Sequence, residues 1–460
     1  LMDADILFLG GGPAGYVGAI HAAHHGLKVI VVERNRPGGV CLFTGCIPSK
    51  AMLSGAHEFA RLKEVGRFGI ELGSPRLLYA KLVEHARRVI EENARGIERY
   101  LFPRAGVTLL QGEGRLLSPT EVEVRSSHGR QRVTARYVVL ATGSRERWLP
   151  GWEPKPPYVV SSQEIFDLDE LPERVGIVGG GVIGCEFTDL FSSLGVKVDL
   201  FELTPTLLPG FDPDLSRAVE RMFKKRGVKI HLGCATSPPR IEGKEVVLTA
   251  GGETFTFDRV LLAVGRIPNA RGIGLEELGL KPDAGGFIPS DPITYETAIP
   301  HLYSVGDLRS PPMLAHKAST EAVRCMEGIL GRAVGKEPPY PAVVYTHPEI
   351  ASVGLSEPSA RSKGFDVTTG IFPLSASGRA RASGEKEGFI KVVGDRKTRA
   401  ILGVHLFIPS ASELIPMASL ALAGEMTAEE LLSLSFPHPT LSEGLYEAIL
   451  LAFSGKAHHL

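Results

Sequence analysis

Long apolar runs are missing from this 460-residue chain, and nowhere do the ~18 uninterrupted apolar residues of a membrane helix accumulate. Neither sign of charge dominates: 51 Lys plus Arg face 52 Asp plus Glu, which leaves no global basic footprint for nucleic acid. Cysteine is scarce. Five in a chain of this length argue against a secreted disulfide framework and point to catalytic or merely buried thiols. Low-complexity segments are absent, and 43% hydrophobic with 22% charged residues excludes wholesale disorder. The chain enters an apolar strand pattern by Ile6 with neither a basic region nor a cleavage site before it, so a cytoplasmic location without membrane attachment is expected.

What is present is a duplication. At roughly 100 to 200 residues per domain the length allows about three domains. One pattern occurs twice, from Ile6 to Glu33 and from Val175 to Glu202: apolar strand, Gly-rich turn, amphipathic helix, second apolar strand ending in an acid. Between the copies lie helical patterns over residues 49–66 and 77–102 and strand patterns over 107–113, 121–125 and 132–141. The last part reads as α+β, with strands over 342–345, 389–393 and 401–406 and helices over 412–424 and 428–434.

Gly10, Gly12 and Gly15 form G-x-G-x-x-G directly after the first strand. The first glycine permits the tight turn, the second lets backbone approach a pyrophosphate, and the third lets helix pack on strand. The phosphates then meet the positive helix N-terminus, and Glu33 is placed for a ribose diol. Gly179, Gly181 and Gly184 repeat the motif, with Glu202 ending the next strand. An acid there favours a free 2'-hydroxyl over a 2'-phosphate, and residues 203–208 offer no Arg or Lys, so the second site is expected to take NAD rather than NADP. The alternative for Glu202 is a solvated charge at a strand end.

Cys41 and Cys46 are five positions apart. On a regular helix that spacing rises about 7.5 Å, beyond the ~6.8 Å Cα limit of a disulfide, so the segment must be distorted if the two bond. Gly38, Gly39, Gly45 and Pro48 supply irregularity, and a helix starting near Pro48 would lower the Cys46 pKa. A dithiol beside a dinucleotide fold suggests reversible redox chemistry; two unconnected thiols is the other reading. Cys185, Cys234 and Cys325 lack such flanks and read as buried small residues. Thr440-x-x-Glu443 is a capping-box pattern for a helix through Leu451.

Taken together, these motifs resemble the FAD-dependent pyridine nucleotide-disulfide oxidoreductases, nearest to their dihydrolipoyl dehydrogenase branch. The resemblance spans essentially the whole chain and includes Ala141-Thr142-Gly143, Ser304-Val305-Gly306-Asp307, Met313-Leu314-Ala315-His316-Lys317-Ala318, Tyr345-Thr346-His347-Pro348-Glu349 and His438-Pro439-Thr440-Leu441-Ser442-Glu443. It implies an α/β fold with two Rossmann-like domains, one for FAD (1–146 and 271–336) and one for NAD (147–270), plus a C-terminal α+β dimerisation domain (337–460). It further implies that Thr142, Gly143, Asp307, Leu314 and Ala315 line the FAD site, and that Gly265 belongs to the NAD site. Lys50 would lie against the flavin and pair with Glu186. His438 would be the acid/base catalyst held by Glu443, and Cys41 and Cys46 a redox disulfide. The implied activity is oxidation of protein-bound dihydrolipoyl groups by NAD. The implied partners are a second copy of the chain and a lipoyl-bearing acyltransferase or carrier of a 2-oxo acid dehydrogenase or glycine-cleavage complex. No metal is called for.

Two positions depart from the branch's pattern. Phe43 stands where Asn is usual and Phe436 where His is usual. They leave open a reductase of some other disulfide substrate, or an FAD-binding assembly subunit with little turnover.

Overall fold

The computed structural model describes residues 2–459. Its first sheet has seven strands, in the order Thr108–Gln111, Val29–Glu33, Ala4–Leu9, Gly129–Leu140, Glu121–Ser126, Glu113–Ser118, with Leu302–Ser304 also paired to Gly129–Leu140. Around Ala4–Leu9 the pairing is parallel, with Ile6 opposite Val29 and Leu9 opposite Leu140. Parallel strands are covered on both faces. The run Ile6-Leu7-Phe8-Leu9 accordingly alternates between two cores: Ile6 and Phe8 pack in the layer of helix Pro13–His24, Leu7 and Leu9 in the layer of Val122 and Val138.

The second copy builds a parallel sheet ordered Lys229–Leu232, Lys197–Glu202, Arg174–Val178, Arg259–Leu262, Val159–Val160. A small antiparallel pair, Ser144–Glu146 with Arg266–Pro268, joins it to the first sheet's region. The C-terminal part is an antiparallel sheet ordered Ala342–Val344, Glu349–Gly354, Ile401–Ile408, Phe389–Asp395, Val367–Pro373, backed by helices Ala411–Ala423 and Glu443–Ser454. Among the described residues no helix is long and apolar enough to cross a membrane.

Two helical expectations need correction. The pattern over 49–66 is a helix from Cys46 to Arg61, so it begins at the cysteine itself. The pattern over 77–102 is helix Tyr79–Gly96 continuing through a π turn, Ile97–Leu101, into Phe102–Ala105. Pro103 has no N–H to return to the preceding turn and its ring crowds that turn's carbonyl, which accounts for the wider winding just before it.

One ion cluster fastens the C-terminal sheet to the second nucleotide-fold unit. Lys391, in a central strand and 1% exposed, sends its Nζ to Asp212 Oδ1 (3.0 Å), Asp214 Oδ2 (2.7 Å) and Glu357 Oε2 (3.0 Å). Burial pushes the Asp212 carboxyl up, but His405, the amides of Asp214 and Glu357, and Lys391 outweigh it and hold it below its ordinary value. This stabilisation is therefore complete above the unfolded carboxylate range near ~4 and lost as pH falls. Lys391→Met strands a fully buried carboxylate and is expected to cost about 3–5 kcal/mol at neutral pH, read as a lowered denaturant midpoint whose deficit shrinks on acidification.

Candidate active site

The first Gly turn has the dimensions of a phosphate cradle. Gly10 takes φ 110°, and a Cβ on it would lie 2.3 Å from the Ala141 carbonyl oxygen; one on Gly15 would lie 1.9 Å from that of Gly10. At Gly12, which opens helix Pro13–His24, a Cβ would approach nothing nearer than Gly39 Cα at 3.8 Å, so this backbone faces free space. The helix's first amides point there without intrahelical partners. Glu33 braces the turn: Oε2 accepts the Gly11 amide (2.7 Å) and Oε1 that of Asn35 (2.9 Å).

The second turn repeats the geometry closely. A Cβ on Gly179 would sit 2.3 Å from Ala263 O, one on Gly184 1.8 Å from Gly179 O, and one on Gly181 would have nothing within 4 Å. Glu202 is 7% exposed, accepting the amides of Gly180 (2.6 Å) and Thr204 (2.7 Å). The reading of Glu202 as a solvated strand-end charge is thus overturned: its carboxylate is needed to satisfy the amides beneath the turn. Gly265 takes φ 104° with open space beside it, and its carbonyl accepts the Arg147 amide at 3.0 Å.

Around the first turn the remaining residues converge from distant segments. Thr142 Oγ1 donates to Asn269 O (2.9 Å), and Gly143 O accepts the Asn269 amide (2.9 Å). Asp307 Oδ2 accepts from Ser144 Oγ at 2.5 Å, and the buried Glu321 accepts the Gly306 amide at 2.7 Å, fixing the turn that carries Asp307. Leu314 is the N-cap of helix Ala315–Ile329. His316 lies in that helix's first turn and pairs with Pro341 O at 2.8 Å.

The cysteine segment is distorted in the expected sense. Cys41 lies in the short helix Gly39–Phe43, the chain breaks direction at Thr44 and Gly45, and Cys46 starts the next helix. The loop is fastened to the first Gly turn by the Gly38 amide on Gly11 O at 2.7 Å. A thiol–thiol hydrogen bond from Cys41 lowers Cys46 to about 7, with Lys50 helping against burial, whereas the same bond pushes Cys41 far up. Within one chain the cause is thus Cys41 first and Lys50 second. In the reduced protein, the part of the ultraviolet thiolate absorbance that Cys46→Ser removes is expected to titrate with a midpoint near 7. Cys41→Ala should move that midpoint up toward the ~8.5 of a free thiol.

One turn further, Lys50 Nζ meets Glu186 Oε2 at 2.9 Å and Oε1 at 3.0 Å across the two nucleotide-fold units. Burial disfavours the Lys50 charge, but Glu186 outweighs it and the ammonium pKa is raised. Tyr345, from the C-terminal part, places its ring 4.4 Å from Lys50 Nζ and its amide 3.1 Å from Glu186 Oε1. A second link runs alongside, His57 Nε2 to the fully buried Asp189 at 2.5 Å, with Arg226 on the other oxygen at 2.6 Å. Sequence reasoning missed Tyr345 as a member of this group, together with Asn269, Ser144, Glu321, His57 and Asp189.

His438 and Glu443 are brought together. His438 Nδ1 lies 2.8 Å from Glu443 Oε1, and the His438 side chain is 75% exposed. Glu443 Oε2 accepts the Thr440 amide at 2.7 Å, whereas Thr440 Oγ1 turns to Pro437 O and Ser442 Oγ. So only half of the capping box forms, and the helix starts at Glu443 and runs to Ser454. Among the described residues, no hydrogen bond joins this pair to Cys41, Cys46, Lys50 or Glu186. Of the other cysteines, Cys185 and Cys325 are buried as expected, whereas Cys234 is partly exposed.

This architecture matches the pyridine nucleotide-disulphide oxidoreductase pattern over residues 4–322 and that family's dimerisation domain over residues 340–449. The chain belongs to the pyridine nucleotide-disulphide oxidoreductases. It is 36% identical to the dihydrolipoyl dehydrogenase of Bacillus subtilis, covering 99% of both chains, and 38% identical to that of Chlorobaculum tepidum, covering 96% of both. Among solved structures it superposes on LpdA from Mycobacterium tuberculosis with a TM-score of 0.91 at 28% identity, covering 96% of this chain and 98% of that one. FAD and NAD are the cofactors of this family, and the two free-space glycines, each at a helix N-terminus, fit their pyrophosphates.

Proposed function

We propose that the chain oxidises protein-bound dihydrolipoyl groups with NAD as acceptor. FAD would be held by Gly10, Gly12, Gly15, Glu33, Thr142, Gly143, Asp307, Leu314 and Ala315, and it supplies the two-electron relay between dithiol and nicotinamide. NAD would be held by Gly179, Gly181, Gly184, Glu202 and Gly265. The domains are then 1–146 with 271–336 for FAD, 147–270 for NAD, and 337–460 for dimerisation. The working form is a homodimer that meets a lipoyl-bearing acyltransferase or carrier protein.

The observation that carries the reading is the placement of the cysteine pair: Cys41 lies in a short helix tied to the first Gly turn through the Gly38 amide, and Cys46 opens the helix that carries Lys50, held by Glu186, one turn on. In the oxidised enzyme, a substrate thiolate attacks Cys41 Sγ and breaks the Cys41–Cys46 bond. Cys46, the better leaving group because its pKa is the lower, departs as thiolate beside the Lys50 ammonium. The second substrate thiol then displaces Cys41 from the mixed disulfide, closing the lipoyl ring and leaving a dithiol. His438 takes the proton of the first attacking thiol, the proton of the second passes to the Cys41 sulfur as it leaves, and Glu443 holds the imidazole. Glu186 and Tyr345 keep Lys50 in position. A steady-state assay with NAD and dihydrolipoamide tests the proposal; a chain replete with FAD that reduces no NAD from dihydrolipoamide would overturn it.

Cofactor choice follows from Glu202. Both carboxylate oxygens are already tied to backbone amides, so the charge cannot swing away from a 2'-phosphate. A preference for NAD over NADP of at least ~10-fold in kcat/KM, about 1.4 kcal/mol, is expected. Equal efficiency with the two would remove Glu202 from the ribose site.

A further inference from the structure

The last turn of helix Pro13–His24 with its C-cap residue, and the helix Ala315–Ile329, bring together three side chains that the proposed reaction does not use. His21, His25 and Glu327 each offer one ligand atom, and these atoms lie within 4.8 Å of one another, all partly buried. His21 Nε2 is 2.6 Å from Glu327 Oε1. His25 Nδ1 is 2.9 Å from the His21 carbonyl oxygen. A carbonyl can only accept, so Nδ1 carries the proton and the neutral ring presents its Nε2 lone pair. Fixing a ring by a hydrogen bond from its other nitrogen is how proteins orient metal-binding histidines.

That lone pair is met by a cation. Arg332 Nη1 lies 2.9 Å from His25 Nε2, 3.0 Å from Glu327 Oε1 and 3.1 Å from Glu327 Oε2. A permanently charged guanidinium nitrogen thus stands among the donor atoms, and its side chain is 49% exposed, free to swing out. The helices beneath are locked together: a Cβ on Gly18 would come within 3.0 Å of Ala322 Cβ, and Ser319 Oγ donates to Pro13 O at 3.4 Å. Two histidines one helical turn apart with a carboxylate from the packed neighbour make an N2O donor set, leaving a fourth position to water. That set suits Zn²⁺ or Cu²⁺ rather than Mg²⁺ or Ca²⁺. Bond lengths near 2.0–2.2 Å need the His21–Glu327 pair to open by only ~0.7 Å.

We propose that His21, His25 and Glu327 form a binding site for a divalent transition-metal ion, with Arg332 as the intramolecular cation that the metal displaces. This goes beyond the sequence expectation of no metal: the donor set is complete only where the second helix brings Glu327 to the two histidines. A bound ion clasps the C-terminal end of the first nucleotide helix to the helix that begins at Ala315.

The test uses the FAD-replete full chain with its Cys41–Cys46 pair oxidised, so that the dithiol does not compete. Zn²⁺ titrated calorimetrically is expected to bind one equivalent per chain, and Cu²⁺ to give an electron paramagnetic resonance signal split by two imidazole nitrogens. His21→Ala and His25→Ala should each weaken Zn²⁺ by ~10–100-fold. Arg332→Met should tighten it by about 10-fold, since a competing set of charge-assisted hydrogen bonds is gone. Binding that persists at full strength in the double histidine variant, or no stoichiometric binding at all, overturns the proposal. Should the histidine variants lose FAD or fold poorly, Arg332→Met decides alone: tightening supports the site, and unchanged or weaker binding removes it.

Discussion

A Gly15→Ala chain is expected to purify without its yellow colour, whereas Gly184→Ala is expected to keep FAD and lose NAD. Both substitutions add one methyl group in a place where backbone meets backbone. The added Cβ would lie 1.9 Å from Gly10 O in the first turn and 1.8 Å from Gly179 O in the second. No rotamer change relieves such an overlap, so each helix must lift from its strand. Overpacking of this kind costs about 1–3 kcal/mol. Here the cost falls on the ligand, because lifting the helix takes its N-terminal amides away from the pyrophosphate. At the upper figure affinity falls by ~100-fold. The two variants share one defect in two places, so their different outcomes separate the sites. Fluorescence of released FAD measures the first, and the NAD concentration dependence of dihydrolipoamide turnover the second. If Gly15→Ala bound FAD normally, the first turn would not be the pyrophosphate cradle.

The features legible in the sequence are those whose physics is local. A Gly-rich turn directly after an apolar strand and an acid at the next strand's end announce themselves within about 30 residues. The same holds for Cys41 and Cys46, whose flanking glycines signalled the broken helix now seen at Thr44 and Gly45. Illegible features join segments far apart. Tyr345 reaches Glu186 across 159 positions and Asp189 meets His57 across 132, separations that no spacing rule covers. Lys391 illustrates the second reason. Nothing within Phe389-Ile390-Lys391-Val392-Val393 announces a buried lysine; three carboxylates from other elements make its burial tolerable. Glu443 shows a third. The cap pattern and the histidine contact compete for one side chain: Oε1 meets His438 and Oε2 the Thr440 amide, while the helix itself starts at Glu443 without a side-chain cap.

Mixing two inactive variants is expected to restore activity. A base must come within about 2.6–3.2 Å of the proton it takes, yet His438 stands 75% exposed with its imidazole bonded to Glu443 of its own loop. On the proposed reading it reaches Cys41 through a second copy of the chain, for which the dimerisation domain over residues 340–449 provides the contact. In a two-fold dimer each site then combines Cys41 of one subunit with His438 of the other. Homodimers of Cys41→Ser and of His438→Gln each carry two defective sites and should be nearly inactive. A mixed dimer has one site with both defects and one with neither. After random exchange about half of the dimers are mixed, each with one intact site of two, so dihydrolipoamide turnover should recover to about a quarter of wild type. Were the sites formed within single chains, every site would keep one defect and no recovery would follow. With exchange verified by native mass spectrometry, a mixture that stays inactive would withdraw His438 from the shared site and leave Glu443 as half of a helix cap.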